Sequence, residues 1–499
     1  METSEYIATV ERLHAEARAR GLFFQTADDA VFEGVKLTLR GARYTAFTSC
    51  SYLGLERHPS LVAGVHDAVD RYGTQFASSR GYVSCPLYKE LEERLSVIFG
   101  GYALAVPTTT LGHQIALGVL ATEKDALIVD HQSHHSVQMA ATLCRANGAH
   151  VELVRHSALP DAEGTVARLA RKHRTVWVAC DGVYSMYGDL APVGALTRLL
   201  AVAPNVRVYV DDAHGMSWAG RHGRGSFLSR MPLSERVVVC TSLVKGFGAG
   251  GAALAFADPT ERERVRMCGG PMVFSGPIQP PMLGASVASA RLHLSDEIVA
   301  LQRRLAALVT RCNQRMRALG LPLLVENEAP IFFVRLGLPA TAFDVAERML
   351  QRGFYVNVSM YPTVPMKRAG VRLALTTLHT MEEVDAVVDA LAECVAASLA
   401  AADVSRDEVD ALFARDAVVI ESGKVEGTYE AYRDHHLGPE LAEFKSFTFE
   451  NYQAQIRLEG PIAVATETYS YRIVTKSDEV VDRLGVASSK RLRHRTLQA

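Results

Sequence analysis

The chain has 499 residues, of which 48% are hydrophobic and 22% charged, a balance typical of a soluble globular protein with a large core and two or three domains. A formal net charge of −2 gives no electrostatic basis for binding nucleic acid, and no run approaches the ~20 apolar residues of a membrane span. The eight cysteines show no Cys-x-x-Cys pair or metal-ligand spacing, and the polar N-terminus lacks the apolar core of a signal peptide, so we expect a cytoplasmic protein without a metal site.

The chain begins with an amphipathic segment over Ser4–Gly21, which predicts a helix, and a short β segment follows over Val35–Phe47. We expect residues 1–50 to form an N-terminal helix and β arm. From Tyr102 onward, apolar runs of strand length alternate with helical patterns. The predicted strands are Leu104–Val106, Ala126–Asp130, Val151–Arg155, Val176–Asp181, Val206–Asp211, Val237–Thr241 and Ala252–Ala257.

Apolar strands that alternate with helices predict a parallel sheet covered on both faces. We therefore expect an α/β large domain over residues 51–284, with a site at the carboxyl ends of its strands. A long helix from Ala285 to Leu319, followed by short strands and helices up to Leu399, predicts a smaller α+β lobe over residues 285–400.

One lysine stands in a glycine-rich turn directly after the predicted strand Val237–Thr241. Lys245 has small and apolar neighbours there instead of other charges, and the strand Val206–Asp211 upstream ends in Asp211 and Asp212. A lysine amine condenses with the aldehyde of pyridoxal phosphate (PLP), and a carboxylate pairs with the pyridinium nitrogen of that cofactor. The pattern therefore predicts PLP chemistry, the alternative being a lysine that merely ends a strand.

Further motifs follow one another in a characteristic order. They are Tyr52-Leu53-Gly54-Leu55 with His58-Pro59, Ser79-Arg80, Asp181-Gly182-Val183-Tyr184-Ser185-Met186, Asp211-Asp212-Ala213-His214, Gly223-Arg224-Gly225, Lys245 and Phe274-Ser275. With them, the first ~400 residues resemble the α-oxoamine synthase family of fold-type I PLP-dependent transferases. The resemblance implies a large domain with a mainly parallel sheet, a small α+β domain and PLP as the cofactor.

The resemblance also assigns residues to the cofactor phosphate. The turn that opens a helix at Thr109 and Thr110 replaces the family's Ser-Gly-aromatic segment, and a helix N-terminus favours an anion. A threonine-rich helix cap without a ligand is the alternative for this turn. Ser242 matches a second phosphate-binding hydroxyl. Ser275 matches one supplied by the other subunit, which implies a homodimer with shared active sites.

Other matched positions surround the cofactor ring and the substrate. His134 corresponds to the histidine that stacks on the ring and assists proton transfer, and Ser185 and His214 correspond to groups that bind the phenolic oxygen. Asp181 lies near the ring edge in relatives, although a carboxylate that caps a turn is an equally good interpretation. Arg372, inside a short apolar strand, corresponds to the residue that binds the amino-acid carboxylate.

The departures from the family lie on the substrate side of the site. Relatives carry Asn followed by Asp or Asn before the Tyr-Leu-Gly motif, where this chain has Cys50 and Ser51. We expect Ser51 and Ser79 to contact substrate. Ser79 stands where glycine-specific relatives have threonine, which favours alanine or serine as the amino acid.

Beyond about Ala400, long segments with alternating apolar and polar residues predict an antiparallel sheet. Residues 405–499 resemble the NTF2-like (SnoaL-like) α+β cone fold. The chain ends in the basic segment Lys490–Arg495 in place of the fold's last aromatic strand. This leaves an incomplete domain, one completed by a partner, and a degenerate one as alternatives.

The resemblance implies a decarboxylative condensation of a small L-amino acid with an acyl thioester, carried by CoA or an acyl-carrier protein, to give an α-aminoketone. In this reaction Lys245 removes the α-proton and Asp211 holds the charge of the ring. Two alternatives remain open. One is another fold-type I reaction, such as a retro-Claisen, aldol or aminotransfer reaction. The other is a non-catalytic scaffold, which the Cys50-Ser51 replacement favours.

Overall fold

The structure is a computed structural model that describes residues 3–326 and 328–401, together with five strands of the chain beyond them. The chain divides into two compact units, Met1–Ala401 and Ala402–Ala499. Among the helices described, none is long and apolar enough to cross a membrane.

The elements of the first unit alternate along most of its length. Its strands are β1 (Lys36–Leu39), β2 (Ala42–Ala46), β3 (Tyr102–Val106), β4 (Ala126–Asp130), β5 (His150–Val154), β6 (Val176–Asp181), β7 (Val206–Asp211), β8 (Val237–Ser242), β9 (Ala252–Phe256), β10 (Ile331–Gly337), β11 (Phe354–Tyr355), β12 (Asn357–Ser359) and β13 (Ala369–Ala374). Its helices are α1 (Thr3–Ala19), α2 (Pro59–Tyr72), α3 (Leu87–Phe99), α4 (Thr109–Leu120), α5 (His135–Ala146), α6 (Glu163–Ala170), α7 (Val193–Val202), α8 (Ser226–Arg230), α9 (Pro259–Cys268), α10 (Gly270–Phe274), α11 (Pro280–His293), α12 (Glu297–Ala318), α13 (Pro339–Gln351) and α14 (Met381–Ala401). Two short 3-10 helices span His156–Asp161 and Arg221–Gly223.

The large domain is built on a sheet of seven strands in the order β3-β9-β8-β7-β6-β4-β5. β5, β4, β6, β7 and β8 pair in parallel, while β9 pairs antiparallel with both β8 and β3. The sheet is therefore mixed and mainly parallel, as the resemblance implied, and β9 is the strand that runs antiparallel. The reason is the connection, because a short turn joins β8 to β9 where a parallel strand would need a longer crossover.

Both faces of this sheet are covered, because successive side chains of a strand point to opposite sides. Val176 and Val178 of β6 pack in one buried cluster with Leu91 of α3. Trp177, between them, packs in a second cluster with Ile115 of α4. Two apolar cores thus hold the carboxyl ends of β6, β7 and β8 in a fixed arrangement.

The small lobe contains a second sheet, β10-β13-β12, and the N-terminal arm adds to the lobe. β2 pairs in parallel with β11, and Leu13 of α1 is buried in the same cluster as Leu373 of β13. The predicted helix from Ala285 to Leu319 is two helices, α11 and α12, which is a correction. Ser295 explains the break, since its hydroxyl donates to the carbonyl oxygen of Leu292 at 2.7 Å and accepts the N–H of Glu297 at 3.3 Å.

The second compact unit contains β14 (Val418–Glu421), β15 (Lys424–Thr428), β16 (Phe444–Glu459), β17 (Ile462–Thr475) and β18 (Val480–Leu492). β14 and β15 pair antiparallel, and β16, β17 and β18 form an antiparallel sheet in chain order. These strands are the segments in which apolar and polar residues alternate, so the predicted antiparallel sheet is confirmed. Residues 402–417, which precede β14, lie outside the described residues, and the NTF2-like fold stays a prediction.

Candidate active site

Lys245 lies in the turn that follows β8. Two backbone hydrogen bonds close this turn, from the N–H of Leu243 to the carbonyl of Gly251 at 3.0 Å and from Ala249 to Leu243 at 2.9 Å. Gly248 has a φ of +73° at a point where a side chain would collide with Leu55, so only glycine fits there. The lysine is half-buried, and burial lowers the pKa of its amine against the opposing effect of Asp211.

Asp211 ends β7, where it is 4% exposed. Its Oδ1 accepts the N–H of Ala213 at 3.0 Å, and its Oδ2 lies 2.9 Å from Nε2 of His113. Burial opposes ionisation of this carboxyl, but His113, Lys245 and His134 together bring the pKa of Asp211 down to about 2. The carboxylate is therefore charged and held by two donors.

His113 is a site residue that the sequence analysis missed. It lies on α4, is fully buried, and joins Asp211 to the phenol of Tyr209 through its other nitrogen, Nδ1, at 2.9 Å. Tyr209 and Asp211 are two residues apart on β7 and therefore project from the same face. The sequence did offer a signal, which is a histidine on an apolar helix that covers this face of the sheet. To predict the contact with Asp211, however, one must know which side of α4 faces the sheet, and the sequence does not give that.

Asp181 ends β6 and is the register partner of Asp211 on β7. Both of its carboxylate oxygens lie 3.1 Å from the backbone N–H of His134. Burial, followed by the charge of Asp211, raises the pKa of Asp181 well above its ordinary value. Asp181 thus binds the loop that carries His134, in agreement with the turn-capping interpretation.

His134 lies at the same edge of the sheet as these carboxyls. It is the N-cap of α5, and its Nδ1 is 2.6 Å from the hydroxyl of Ser136. Its side chain is exposed. That placement leaves the ring available to pack against a bound molecule.

The N-terminus of α4 begins at Thr109, beside the end of β8. Thr108 caps the helix by accepting the N–H of Leu111 at 3.1 Å, and the carbonyl of Thr109 lies 3.9 Å from the thiol of Cys240 on β8. Thr109 and Thr110 occupy the first turn, where backbone N–H groups have no partner within the helix. This terminus can bind an anion.

Ser242 and Ser275 complete the set expected near a phosphate. Ser242 is buried at the end of β8, and its hydroxyl accepts the N–H of Val244 at 3.2 Å. Ser275 directly follows α10 and is half-buried. In the part of the chain that the structure describes, no hydrogen bond connects Ser275 to Lys245 or Asp211.

Arg372 lies on β13, the central strand of the small sheet, and is 5% exposed. Its Nε donates to the carbonyl oxygen of Ser185 at 2.7 Å, and its Nη2 lies 3.7 Å from the sulfur of Cys50. Within residues 3–326 and 328–401, no carboxylate forms an ion pair with it. The guanidinium therefore remains available to a carboxylate ligand.

Cys50 is the second site residue that the sequence analysis did not select. Burial opposes ionisation of its thiol, but the cations Arg372 and Lys245 lower the pKa of Cys50 below its ordinary value. Its neighbour Ser51 donates its hydroxyl to Glu56 instead. The hydroxyl of Ser79 accepts the N–H of Gly81 at 3.1 Å.

His214 forms a buried pair with Tyr52, whose phenol lies 2.6 Å from Nδ1 of the imidazole. Burial, then the cations Lys245 and Arg372, lower the pKa of His214 well below its ordinary value. Burial raises the pKa of Tyr52 well above its ordinary value. The pair is therefore neutral and supplies a hydrogen bond without a charge.

A cavity of about 590 Å³ opens beside His134 and Ser185. Its wall includes Met186, Tyr187 and the segment from Tyr361 to Pro365 of the small lobe. A larger cavity of about 730 Å³ lies between α2, α3 and α11 and contains none of the predicted site residues. The smaller cavity is therefore the one that adjoins the site.

The groups gathered here fit PLP in kind. They supply an amine with a lowered pKa, a buried carboxylate, an imidazole face and a helix N-terminus, which match an aldehyde, a ring nitrogen, a ring face and a phosphate. The aminotransferase class I and II family matches residues 43–391. The chain belongs to this family. Aminotransferase class I and II proteins depend on PLP, so PLP is the cofactor of this chain.

Two curated members of the family show how far the similarity extends. An 8-amino-7-oxononanoate synthase of Xylella fastidiosa (strain M12) is 31% identical over 369 residues, which cover 72% of this chain and 88% of that protein. A mitochondrial 2-amino-3-ketobutyrate coenzyme A ligase of Bos taurus is 29% identical over 349 residues, which cover 70% of this chain and 81% of that protein.

The fold of this family member has a counterpart among solved structures. A Sphingomonas wittichii serine palmitoyltransferase superposes with a TM-score of 0.70 at 24% identity, covering 80% of this chain and 99% of that one. The superposition shows the shared fold, and the two curated relatives place the chain among the PLP-dependent enzymes of the α-oxoamine synthase class.

Proposed function

We propose that this enzyme condenses a small L-amino acid with an acyl thioester and releases CO₂ to give an α-aminoketone. The observation that carries this proposal is Arg372, a buried guanidinium without a carboxylate partner among the described residues, close to Lys245. A buried arginine is costly unless it is paired, and its planar fork suits the carboxylate of an amino acid. The names of the relatives, which include a synthase and a coenzyme A ligase, support a reaction of this class.

PLP, when bound, withdraws electrons from the α-carbon of the amino acid and so acidifies its α-proton. Arg372 binds the carboxylate and orients the substrate. Lys245, with its lowered pKa, accepts the α-proton through Nζ. Asp211 would pair with the ring nitrogen. His214, which Tyr52 orients, would donate to the phenolic oxygen.

The remaining residues hold the cofactor and the substrate in place. Thr109, Thr110 and Ser242 would hold the phosphate, and His134 would pack on the ring face. Ser185, whose carbonyl oxygen accepts from Arg372, would bind the phenolic oxygen through its hydroxyl, and Asp181 fixes the loop of His134. Ser51 and Ser79 remain predictions on the substrate side, where Ser79 favours alanine or serine.

We propose that two copies share their active sites, with Ser275 of the partner subunit completing the phosphate site. The segment around Ser275 exposes apolar side chains, with Phe274 89% and Tyr82 87% exposed. Val273, next to Phe274, lies within 3.4 Å of the position that a side chain on Gly81 would take, so the two segments adjoin. A second copy of the chain would cover this apolar surface.

Mass spectrometry of reaction products tests the proposal. The protein is incubated with alanine, serine or glycine and with acyl-CoA or acyl-carrier-protein donors of several chain lengths. We expect an α-aminoketone that contains the amino acid and the acyl group minus CO₂, with alanine or serine preferred. Lys245→Ala should abolish the product, and Arg372→Gln should raise the KM for the amino acid more than the KM for the thioester.

Other outcomes point to the alternatives. A keto acid formed without acyl transfer indicates an aminotransferase, and cleavage of a β-hydroxy or β-keto amino acid indicates an aldolase or retro-Claisen lyase. Borohydride reduction followed by peptide mapping should place the pyridoxyl label on Lys245. A colourless protein that takes no label contradicts the proposal and favours a scaffold.

A further inference from the structure

Two carboxyls lie side by side at the site, and the structure distinguishes between them. Asp181 and Asp211 are register partners on neighbouring parallel strands, and both are almost fully buried. Two carboxylates so close in a buried position do not both ionise readily, since each opposes the charge of the other. The residues that contact the two carboxyls therefore determine which of them is ionised.

His113 contacts only one member of this pair. Its Nε2 lies 2.9 Å from Asp211, whereas Asp181 receives the neutral backbone N–H of His134. The second nitrogen of His113 is held by Tyr209 at 2.9 Å, which fixes the ring. A buried polar side chain on an apolar helix is costly unless it is hydrogen-bonded, and both of its nitrogens are.

The surrounding charges agree with this asymmetry. Although burial opposes the charged form, Cys240 and Asp211 raise the pKa of His113 to about 10. Lys245 and His134 also face Asp211 and favour its anion, while the charge of Asp211 disfavours that of Asp181. The stable arrangement is a protonated His113, an ionised Asp211 and a protonated Asp181.

We propose that His113 is a positioning residue that places the negative charge of the aspartate pair on Asp211 and fixes the orientation of that carboxylate toward the ring nitrogen of the cofactor. Oδ1 is held by the N–H of Ala213 and Oδ2 by His113, so rotation of the carboxylate would break both hydrogen bonds. The inference rests on the proposed role of Asp211, and it does not depend on the identity of the substrates.

Cofactor affinity is the first measurement, made by titrating the apoprotein with PLP. His113→Leu removes the donor at similar volume, and His113→Gln keeps an N–H donor without a charge. We expect His113→Leu to weaken PLP binding about 10- to 100-fold, as loss of an orienting partner generally does, and His113→Gln to recover part of this loss. Unchanged affinity in His113→Leu would overturn the proposal.

A double-mutant cycle separates positioning from a general effect on the fold. If His113 acts through Asp211, then His113→Leu should cost little further affinity in an Asp211→Asn background. Losses that simply multiply would show that His113 acts independently, which contradicts the proposal. If His113→Leu does not fold, the same cycle with His113→Gln decides the matter.

Infrared spectroscopy of the apoprotein reports the charges directly. Asp212 is also buried with a raised pKa, so the spectra are recorded in an Asp212→Asn background. There we expect one buried protonated carboxyl band that disappears on adding Asp181→Asn and persists on adding Asp211→Asn. In His113→Gln the proton should spread to Asp211, so that Asp181→Asn no longer removes the band completely. A band assigned to Asp211 where His113 is intact would contradict the proposal. None of these measurements requires turnover, so they remain informative if the proposed reaction is wrong.

Discussion

Two consecutive aspartates at the end of β7 differ in their charge. Burial raises the pKa of Asp212 to about 7, whereas that of Asp211 falls to about 2. Asp212 Oδ2 accepts the N–H of Phe227 at 2.9 Å, and Oδ1 has no partner among the described residues. Gly182 and Gly215 approach this carboxyl so closely that any side chain there would collide with it. Asp212 is thus a structural carboxyl next to the one that we propose to pair with the cofactor.

We expect Asp212→Asn to change the pH dependence of stability. The folded pKa of Asp212 lies above the unfolded value of 3.8, so wild-type stability falls as the pH rises from about 4 to 7 and is constant above that. An asparagine does not titrate. The unfolding free energy of the variant relative to wild type should therefore increase over this range, by at most about 4 kcal/mol. Urea unfolding at several pH values measures it.

Asp125→Asn is the matched control for this experiment. Asp125 is also fully buried, and hydrogen bonds from Arg174 and Thr122 lower its pKa below 3.8 against the effect of burial. Its contribution is therefore present above pH 3.8 and is lost only as the pH falls below that value. Its difference from wild type should stay constant between pH 5 and 8. A constant difference for Asp212→Asn as well would show that Asp212 is ionised in the folded protein.

Cys50 should be the most reactive of the eight cysteines. Six of them are buried, and Cys268 is the most exposed. The thiolate is the nucleophile, so the lowered pKa of Cys50 should outweigh its smaller exposure. With iodoacetamide and apoprotein at pH 7, peptide mass spectrometry should show Cys50 modified several-fold faster than Cys268. Arg372→Gln should remove this preference, and modification of Cys268 first would contradict the expectation.

Among the individual residues of the site, those at strand ends could be predicted from the sequence, whereas those that contact the other lobe could not. Lys245 and Asp211 follow apolar strands whose carboxyl ends must meet at one edge of the sheet. Cys50, and not the predicted Ser51, contacts Arg372. Neighbouring side chains in an extended segment point in different directions, so only one of the two can face the arginine. That choice depends on how the segment docks between β13 and the large domain, which no local pattern contains.

Among the elements, one buried carboxylate on α3 connects four parts of the large domain. Glu92 accepts from Arg80 at 3.0 Å, from the N–H of Ala105 in β3 at 3.1 Å and from Arg266 of α9 at 2.6 Å. Its side chain is almost completely buried. The segment that carries Ser79 and Arg80 is thereby fixed to α3.

Glu92→Ala should destabilise the protein by about 3–5 kcal/mol, because it leaves the buried Arg80 and the partly buried Arg266 without this carboxylate. Chemical denaturation measures the loss, and limited proteolysis should show earlier cleavage near Arg80. Glu90→Ala on the same helix is the control. Glu90 pairs with Arg94 and Arg291 at the surface, where such pairs contribute about 0–1 kcal/mol. Equal losses of unfolding free energy for the two variants would show that the buried network around Glu92 stabilises the protein no more than a surface ion pair does.

The order of the elements was largely predictable, whereas their connections were less so. Apolar runs located the seven strands of the large sheet to within a residue or two. The direction of β9 depends on the length of the turn after β8, and the break between α11 and α12 depends on one serine hydroxyl. Neither the length of a turn nor a single hydroxyl hydrogen bond changes the spacing of apolar residues, so the pattern used to predict helices and strands does not reveal them.

On the scale of the whole molecule, the residues that form the candidate site lie within the first compact unit, which ends at Ala401. We expect a chain that ends at Ala401 to bind PLP and its amino acid, because none of the described strands beyond Ala401 belongs to the sheets of the first unit. Absorbance and size-exclusion chromatography measure this. Binding without condensation would indicate that the C-terminal unit presents the thioester. Loss of PLP together with insolubility would contradict the predicted boundary.

The position of β3 at the edge of the large sheet has a consequence for biosynthesis. Among the strands described, its one neighbour is β9, which lies about 150 residues later in the chain. At typical translation rates of about 5–20 residues per second, β3 and α4 wait roughly 10–30 s for that neighbour to leave the ribosome. The N-terminal end of α4, which lies against Cys240 of β8, cannot take its place beside the sheet much earlier. PLP therefore joins a nearly finished domain and cannot template its early folding.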